Sequence, residues 1–342
     1  MIPEKTKQLL EKMHYGIAGA HSAVQICRWT KNSLNGKGVC WKEKFYGIKS
    51  SRCCQMSPSV MVCENSCLHC WRPITESCGS DMKKIKIDEP KFIIEEILKQ
   101  RKKLMTGFKG DKKISRKKYY EAIEPTLFTL SLSGEPTLYP KLSELIKEIR
   151  KRKAVSFIVT NGLNPNALKK LEKDKALPTQ LTISMNAPNK KLYKLWHNSK
   201  KKNAWKLFNK SLEIMKKLKG KKRRAIRLTL VRPSDKISGL YKINNMSENL
   251  ISQYSNLIKK AEPDFVHVKG FKSIGYSRKR FDYDRQPFYE EVLDYAKKLM
   301  NELNKNIKFE KDKYKILGKE NISCVVVLGK DKREMKIRKE QI

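Results

Sequence analysis

Two rhythms of apolar residues alternate along most of this chain. Short runs rich in β-branched residues, at 59–62, 127–132, 155–159, 181–184, 226–231 and 265–269, read as strands. Between them lie stretches with apolar residues at three- and four-residue intervals, such as Ile93, Ile97, Leu98 and Leu104, which read as amphipathic helices. The clearest of these span 90–103, 142–152, 204–218, 250–260 and 288–303. Regular strand-to-helix alternation predicts parallel strands joined by right-handed crossovers, hence an α/β protein. Six units fit an open, partial (βα)6 TIM-like barrel better than a closed eight-unit one. On such scaffolds the chemistry gathers at the carboxyl ends of the strands. The expected division is an N-terminal extension over 1–57, a barrel over 58–303 and a small C-terminal addition over 304–342. The extension reads as a leading helix followed by an irregular, cysteine-bearing stretch, and the addition as strands near 307–309 and 324–328.

Charge changes the picture next. Among 342 residues, 76 Lys and Arg stand against 35 Asp and Glu, a formal net charge of +41. That excess repels itself in a compact state and calls for an anionic counterpart, of which a phosphate backbone is the natural one. A lysine-rich surface without a partner is the plainer alternative. No apolar run approaches the roughly 20 residues needed to cross a bilayer, so no membrane partner is expected. The N-terminus carries charges throughout instead of a signal peptide's apolar core, which predicts a cytoplasmic protein.

Eight of the nine cysteines fall between Cys27 and Cys78. An odd total without a secretion signal argues for metal rather than disulfides. Cys63, Cys67 and Cys70 have the spacing C-x3-C-x2-C. Three thiolates on a [4Fe–4S] cluster leave one iron open for a further ligand. A structural zinc site wants a fourth ligand, and His69, lying inside the triplet, is poorly placed to supply it. Each later strand is followed by a distinctive polar turn: Ser133-Gly134-Glu135-Pro136, then Thr160-Asn161-Gly162, then Asn186-Ala187-Pro188. The cysteine cluster follows the first strand in the same way, so all four map to one rim of the barrel.

The triplet resembles that of the radical S-adenosylmethionine superfamily. This resemblance implies that the amino and carboxylate groups of S-adenosylmethionine chelate the open iron and that an electron from the cluster cleaves its sulfonium bond. It further implies that His69 lies against the adenine, that the Ser133, Gly134 and Glu135 turn meets the amino group, and that Asn161 contributes from the next strand end. A closer resemblance, over nearly the whole length, is to the archaeal 4-demethylwyosine synthases. It rests on the triplet followed by Trp71-Arg72-Pro73, on residues 133–140, on Val268-Lys269-Gly270, on Gly275-Tyr276-Ser277-Arg278 and on three N-terminal cysteines, Cys27, Cys40 and Cys53. By themselves those three, thirteen residues apart each time, suit buried thiols as well as a cluster. The resemblance implies that they hold a second [4Fe–4S] cluster whose open iron binds pyruvate. It also implies that Lys42 forms a Schiff base with that pyruvate, which requires a neutral amine. Cys54 adjoins Cys53, while Cys78 and Cys324 read as structural or incidental thiols.

The implied substrate is N1-methylguanosine beside the anticodon of phenylalanine tRNA. Basic residues interleaved with aromatics suit phosphate contacts and base stacking. They follow the fourth strand, with Lys190, Lys194, Trp196 and His197, and the sixth, with Phe271, Lys272, Tyr276, Arg278, Arg280 and Phe281. The runs 109–118 and 216–224 belong to the opposite face and read as solvated charge. Eukaryotic relatives carry a flavodoxin-like domain for which this chain has no room, so an external low-potential electron donor is expected. Rival readings are another radical enzyme acting on RNA and a non-catalytic, metal-stabilised RNA-binding protein.

Overall fold

The computed structural model describes residues 2–234 and 239–342. A single ten-stranded sheet runs through it in the order β1-β2-β3-β4-β5-β6-β7-β8-β10-β9. The hairpin β1 (Tyr15–Ala18) and β2 (Ser22–Gln25) pairs antiparallel onto β3 (Cys53–Ser57). From β3 the sheet is parallel through β4 (Leu127–Leu130), β5 (Val155–Thr160), β6 (Gln180–Ser184), β7 (Arg223–Leu230) and β8 (Phe265–Gly270). The antiparallel pair β9 (Lys315–Glu320) and β10 (Val325–Gly329) closes the far edge on β8. Among the described residues eleven α-helices accompany these strands: α1 (Glu4–Lys12), α2 (Arg28–Leu34), α3 (Trp41–Tyr46), α4 (Pro90–Leu104), α5 (Arg116–Ile123), α6 (Leu142–Lys151), α7 (Pro165–Lys173), α8 (Lys190–His197), α9 (Ala204–Lys217), α10 (Ile251–Ala261) and α11 (Tyr289–Asn304). The six parallel strands and their crossovers are the open partial barrel expected from the pattern.

The first strand differs from expectation. Residues 59–62 form a turn, with the Val62 amide donating to the Ser59 carbonyl and Met61 in the left-handed region at φ 62. The strand lies upstream, at Cys53–Ser57, inside the stretch expected to be irregular. Residues 307–309 are likewise not a strand; Phe309 is two-thirds exposed, and the edge strand starts at Lys315.

Alternation along the strands sorts two environments. Outward positions such as Cys54, Met56, Phe128, Leu130, Ile158, Ile183, Leu228 and Val268 pack under the helices in the main core. Inward positions at the amino ends of the strands, including Leu127, Phe157 and Phe265, join Tyr46, Leu317, Val325, Val327 and Met335 in an apolar plug. Above this plug the inward side chains are mostly polar: Gln55, Thr129, Ser131, Gln180, Thr182, Arg227, His267 and Lys269. A barrel lined this way holds a solvated or ligand-filled interior instead of a packed one.

Candidate active site

Cys63, Cys67 and Cys70 sit in the long loop that leaves the carboxyl end of β3. Neighbouring elements fix that loop through its backbone. The amides of Ser66 and Leu68 donate to the carbonyls of His197 (2.9 Å) and Trp196 (3.0 Å) at the end of α8. Arg280 donates from Nε to the Leu68 carbonyl (2.8 Å) and from its second terminal nitrogen to the Cys70 carbonyl. The Cys67 Sγ lies 3.0 Å from His197 Nδ1. Burial pushes the Cys63 and Cys67 thiols far up, and mutual charge repulsion pushes Cys67 further. Buried thiols with repelling thiolate forms suit a cationic metal cluster, which would relieve both penalties. Among the described residues no three His, Cys, Asp or Glu side chains gather tightly enough for a single ion. A cubane, by contrast, spreads its ligands over separate iron corners.

The turn after β4 docks under this loop. Gly134 has φ 73, and a Cβ there would collide with the carbonyl oxygens of Ser59 and Val62, so only glycine lets the two turns meet. Glu135 is buried, and its carboxylate accepts from the Thr137 amide (3.1 Å) and hydroxyl (2.6 Å), the Thr160 hydroxyl (2.6 Å) and the Asn161 amide (2.7 Å). Burial and nearby Glu64 push it up to about 7 despite those donors. Asn161 Nδ2 reaches Glu64 (3.1 Å), which also pairs with Lys201 (3.1 Å). His69 is held by the Trp196 indole N–H (2.8 Å) and stacks on that ring at 5.7 Å. Burial drives its pKa well down, leaving a neutral ring. Glu64 escaped the sequence reading because it sits within the triplet, and Lys201, one of the basic residues after the fourth strand, gives no sequence signal of its pairing with Glu64.

The second group of cysteines lies at the amino end of the same strand. Four residue steps of about 3.3 Å separate Cys53 from Ser57, so roughly 13 Å of β3 lies between the two groups. Cys27 precedes α2 and its sulfur accepts from the Thr30 amide (3.4 Å); Cys40 precedes α3. Ser50 ties these segments together, its Oγ accepting from the Cys40 amide and its carbonyl from the Thr30 hydroxyl. Arg101 on α4 is fully buried and clamps the carbonyls of Ser51 (3.0 Å), Cys53 (2.8 Å) and Ala122, fixing the start of β3. Cys53 turns inward, whereas Cys54 turns into the outer core, where burial pushes its thiol up to about 12. Strand alternation therefore separates the adjacent pair.

Cys27, Cys40 and Cys53 line one cavity of about 220 Å³ together with Lys42, Thr129, Phe157, Arg227, His267 and Lys269. Three thiols facing one space, free of disulfides, are a fitting donor set for a cluster. Lys42 Nζ lies 3.4 Å from the Thr129 hydroxyl and 5.5 Å from the Phe157 ring centre. Burial acts to lower its pKa, but the thiolates of Cys53, Cys40 and Cys27 outweigh burial and hold it up. That is opposite to the lowering expected from sequence, because charge from the thiols dominates at this spot.

Comparison with known proteins identifies the family. Residues 58–236 match the radical SAM superfamily, and residues 260–330 match the wyosine base formation family. The S-adenosyl-L-methionine-dependent tRNA 4-demethylwyosine synthase of Pyrococcus abyssi is 39% identical over 88% of this chain and 84% of its own length. That of Methanocaldococcus jannaschii is 34% identical over 98% and 99%. The chain belongs to the tRNA 4-demethylwyosine synthase family. It is a radical SAM enzyme that uses S-adenosylmethionine and a [4Fe–4S] cluster and acts on tRNA. A solved structure of TYW1 with a lysine–pyruvate adduct bound superposes with TM-score 0.80 at 32% identity over 99% of both chains. A crystal structure of archaeal TYW1 gives 0.73 at 31% over the same shares. The Schizosaccharomyces pombe relative, 34% identical, is longer, and this chain spans 44% of it.

For this synthase the charged surface divides as follows. Lys190 and Lys194 are exposed on α8, which is a helix and not a loop, and Arg278 is exposed with its Nε on the Ser273 carbonyl (3.1 Å). Lys272 is half-buried. Trp196, His197, Phe271 and Phe281, expected among stacking residues, are buried and pack beneath the cysteine loop and beside one another. Tyr283 remains 72% exposed. On the opposite face Lys216 and Lys219 pair with Glu262, Lys221 pairs with Glu172, and Arg223 and Arg224 are buried structural donors. Among the described residues no helix is long and apolar enough to cross a membrane.

Proposed function

We propose that this synthase condenses pyruvate with N1-methylguanosine beside the anticodon of phenylalanine tRNA, with Lys42 holding the pyruvate. In this reading Cys63, Cys67 and Cys70 hold the cluster that binds S-adenosylmethionine. Ser133, Gly134, Glu135, Asn161 and His69 form the wall against that cofactor, and Cys27, Cys40 and Cys53 hold a second [4Fe–4S] cluster. The observation that carries it is the cavity shared by Lys42 and the three N-terminal thiols, inside the barrel and below the triplet. The relative solved with a lysine–pyruvate adduct supports the same assignment.

When bound, the cluster and S-adenosylmethionine supply the one-electron chemistry that opens a C–H bond of the N1-methyl group. The chain's own residues then have distinct tasks. With the thiolate charge taken up by a cluster, the pull that holds the Lys42 proton would weaken and burial would favour its loss to cavity water; the neutral amine then attacks the ketone carbon of pyruvate, forming an imine and releasing one water. Phe157 and Leu127 wall that carbon from bulk solvent. Lys190, Lys194, Lys272 and Arg278 contact phosphates of the anticodon arm, and the methylated base swings out of a single-stranded loop into the barrel mouth. Arg280 supports the same surface chiefly by holding the cysteine loop. The electron comes from a separate low-potential donor, in the cytoplasm.

Incubation with labelled pyruvate and cyanoborohydride, followed by peptide mass spectrometry, tests the lysine. The reduced three-carbon acid is expected on Lys42 and absent in Lys42→Arg. Labelling at another lysine, or at none, would overturn the assignment.

A further inference from the structure

Among the described residues Arg227 is a cation without a matching anion. It lies midway along β7 with its side chain turned into the cavity that Lys42 lines. It is deeply enclosed by protein yet keeps some accessible surface, because that surface faces the cavity and not bulk water. Its Nε has no hydrogen-bond partner, and one terminal nitrogen makes a single long contact, 3.5 Å, to the Ser184 hydroxyl. Among the described residues no carboxylate pairs with it. Glu43, the one acid among the described residues lining the cavity, accepts from the Ser50 amide (2.7 Å).

A second cation stands beside it. Lys269 lies on β8, whose register sets Arg227 opposite His267 and Thr229 opposite Lys269. It lines the same cavity. Burial above all, with Arg227 and Lys272 adding, pushes it down to about 8, while Cys40 acts the other way. His267 contributes no charge, since burial drives its pKa to about 3. A guanidinium enclosed without a partner is costly, and that cost is relieved by an anion it can grip with two parallel N–H bonds. Three thiolates around an oxidised [4Fe–4S] cluster leave one net negative charge, fewer than the two cations Arg227 and Lys269. The cavity retains room for an anionic guest.

We propose that Arg227, flanked by Lys269, is the carboxylate anchor that makes this cavity select 2-oxo acids over neutral carbonyl compounds. The inference rests on the pyruvate reading above and deepens it by assigning the other end of the molecule. Lys42 takes the ketone carbon, and Arg227, lining the same cavity, takes the carboxylate. Arg227 thereby orients the ketone toward the amine instead of reacting itself.

Equilibrium binding of pyruvate and of its neutral isostere pyruvamide to the anaerobically reconstituted enzyme tests this. Wild type, Arg227→Gln and Arg227→Lys are compared, with iron content measured for each. Wild type is expected to prefer pyruvate by about tenfold or more, the worth of a charge-assisted contact. Arg227→Gln should lose about tenfold in pyruvate affinity while pyruvamide stays within about twofold, and Arg227→Lys should restore part of the preference. A glutamine variant that keeps both its iron and the wild-type preference would overturn the proposal. So would loss of iron in that variant, because the guanidinium would then serve the thiol cluster. Failure of wild type to bind pyruvate at all is a different result, and it removes the pyruvate reading itself.

Discussion

A carboxylate enclosed at a strand end is hard to keep ionised, and Glu135 carries that tension. Four donors favour its anion, while burial and Glu64 oppose it and win, raising it to about 7 from an ordinary value of 4.5. Between those two values the folded protein binds the proton and the unfolded chain has released it. Stability from this group is therefore complete below about pH 4.5 and is lost as pH rises toward 7. Glu135→Gln cannot ionise, so in the metal-free protein its urea midpoint should vary less than wild type's across that window. An equally steep fall in both proteins would show that another group governs it. The substitution should also weaken S-adenosylmethionine binding, since the turn it shares with Gly134 braces the cysteine loop.

At the scale of elements, β3 organises the site by presenting one cysteine at its start and feeding the triplet loop at its end. Arg280 ties that loop to the segment after β8, so Arg280→Ala should speed iron loss to a chelator several-fold, while Arg278→Ala should leave the rate unchanged. Iron release followed by absorbance checks this; equal rates in the two variants would contradict the clamp. The elements most legible in the sequence were those where pattern and packing agree, such as α4, α9 and β5. β3 was not, because Cys-Cys-Gln-Met-Ser has no β-branched residue, and pairing with β2 and β4 decides it instead. The run Val60-Met61-Val62 misled because it is apolar through burial in a turn, against Leu132 and Ala23. The triplet and the polar strand-end turns could be read from spacing alone. The N-terminal cysteines needed the family resemblance, and Arg227 and Arg101 carried no local signal, since only the folded barrel shows where an arginine points.

Across the whole molecule, the net charge of +41 is not spread evenly in purpose. At the amino ends of the strands Lys216 and Lys219 are engaged with Glu262 and Lys221 with Glu172, whereas Lys190 and Lys194 face outward near the cysteine rim. Replacing Lys190, Lys194 and Lys272 with alanine should weaken tRNA binding and shallow its salt dependence by about 0.9 for each phosphate no longer neutralised. Replacing Lys216, Lys219 and Lys221 should change neither by as much. Equal effects from both sets in filter binding across a salt series would place the RNA elsewhere.

In the proposed function one strand, β3, separates two cluster-bearing sets of thiols, of which the lower faces Lys42. Iron and sulfide analysis of anaerobically reconstituted protein decides this. Wild type should carry about eight irons per chain, and replacing either Cys63, Cys67 and Cys70 or Cys27, Cys40 and Cys53 by alanine should leave about four. About four irons in wild type, unchanged when the N-terminal three are replaced, would contradict it.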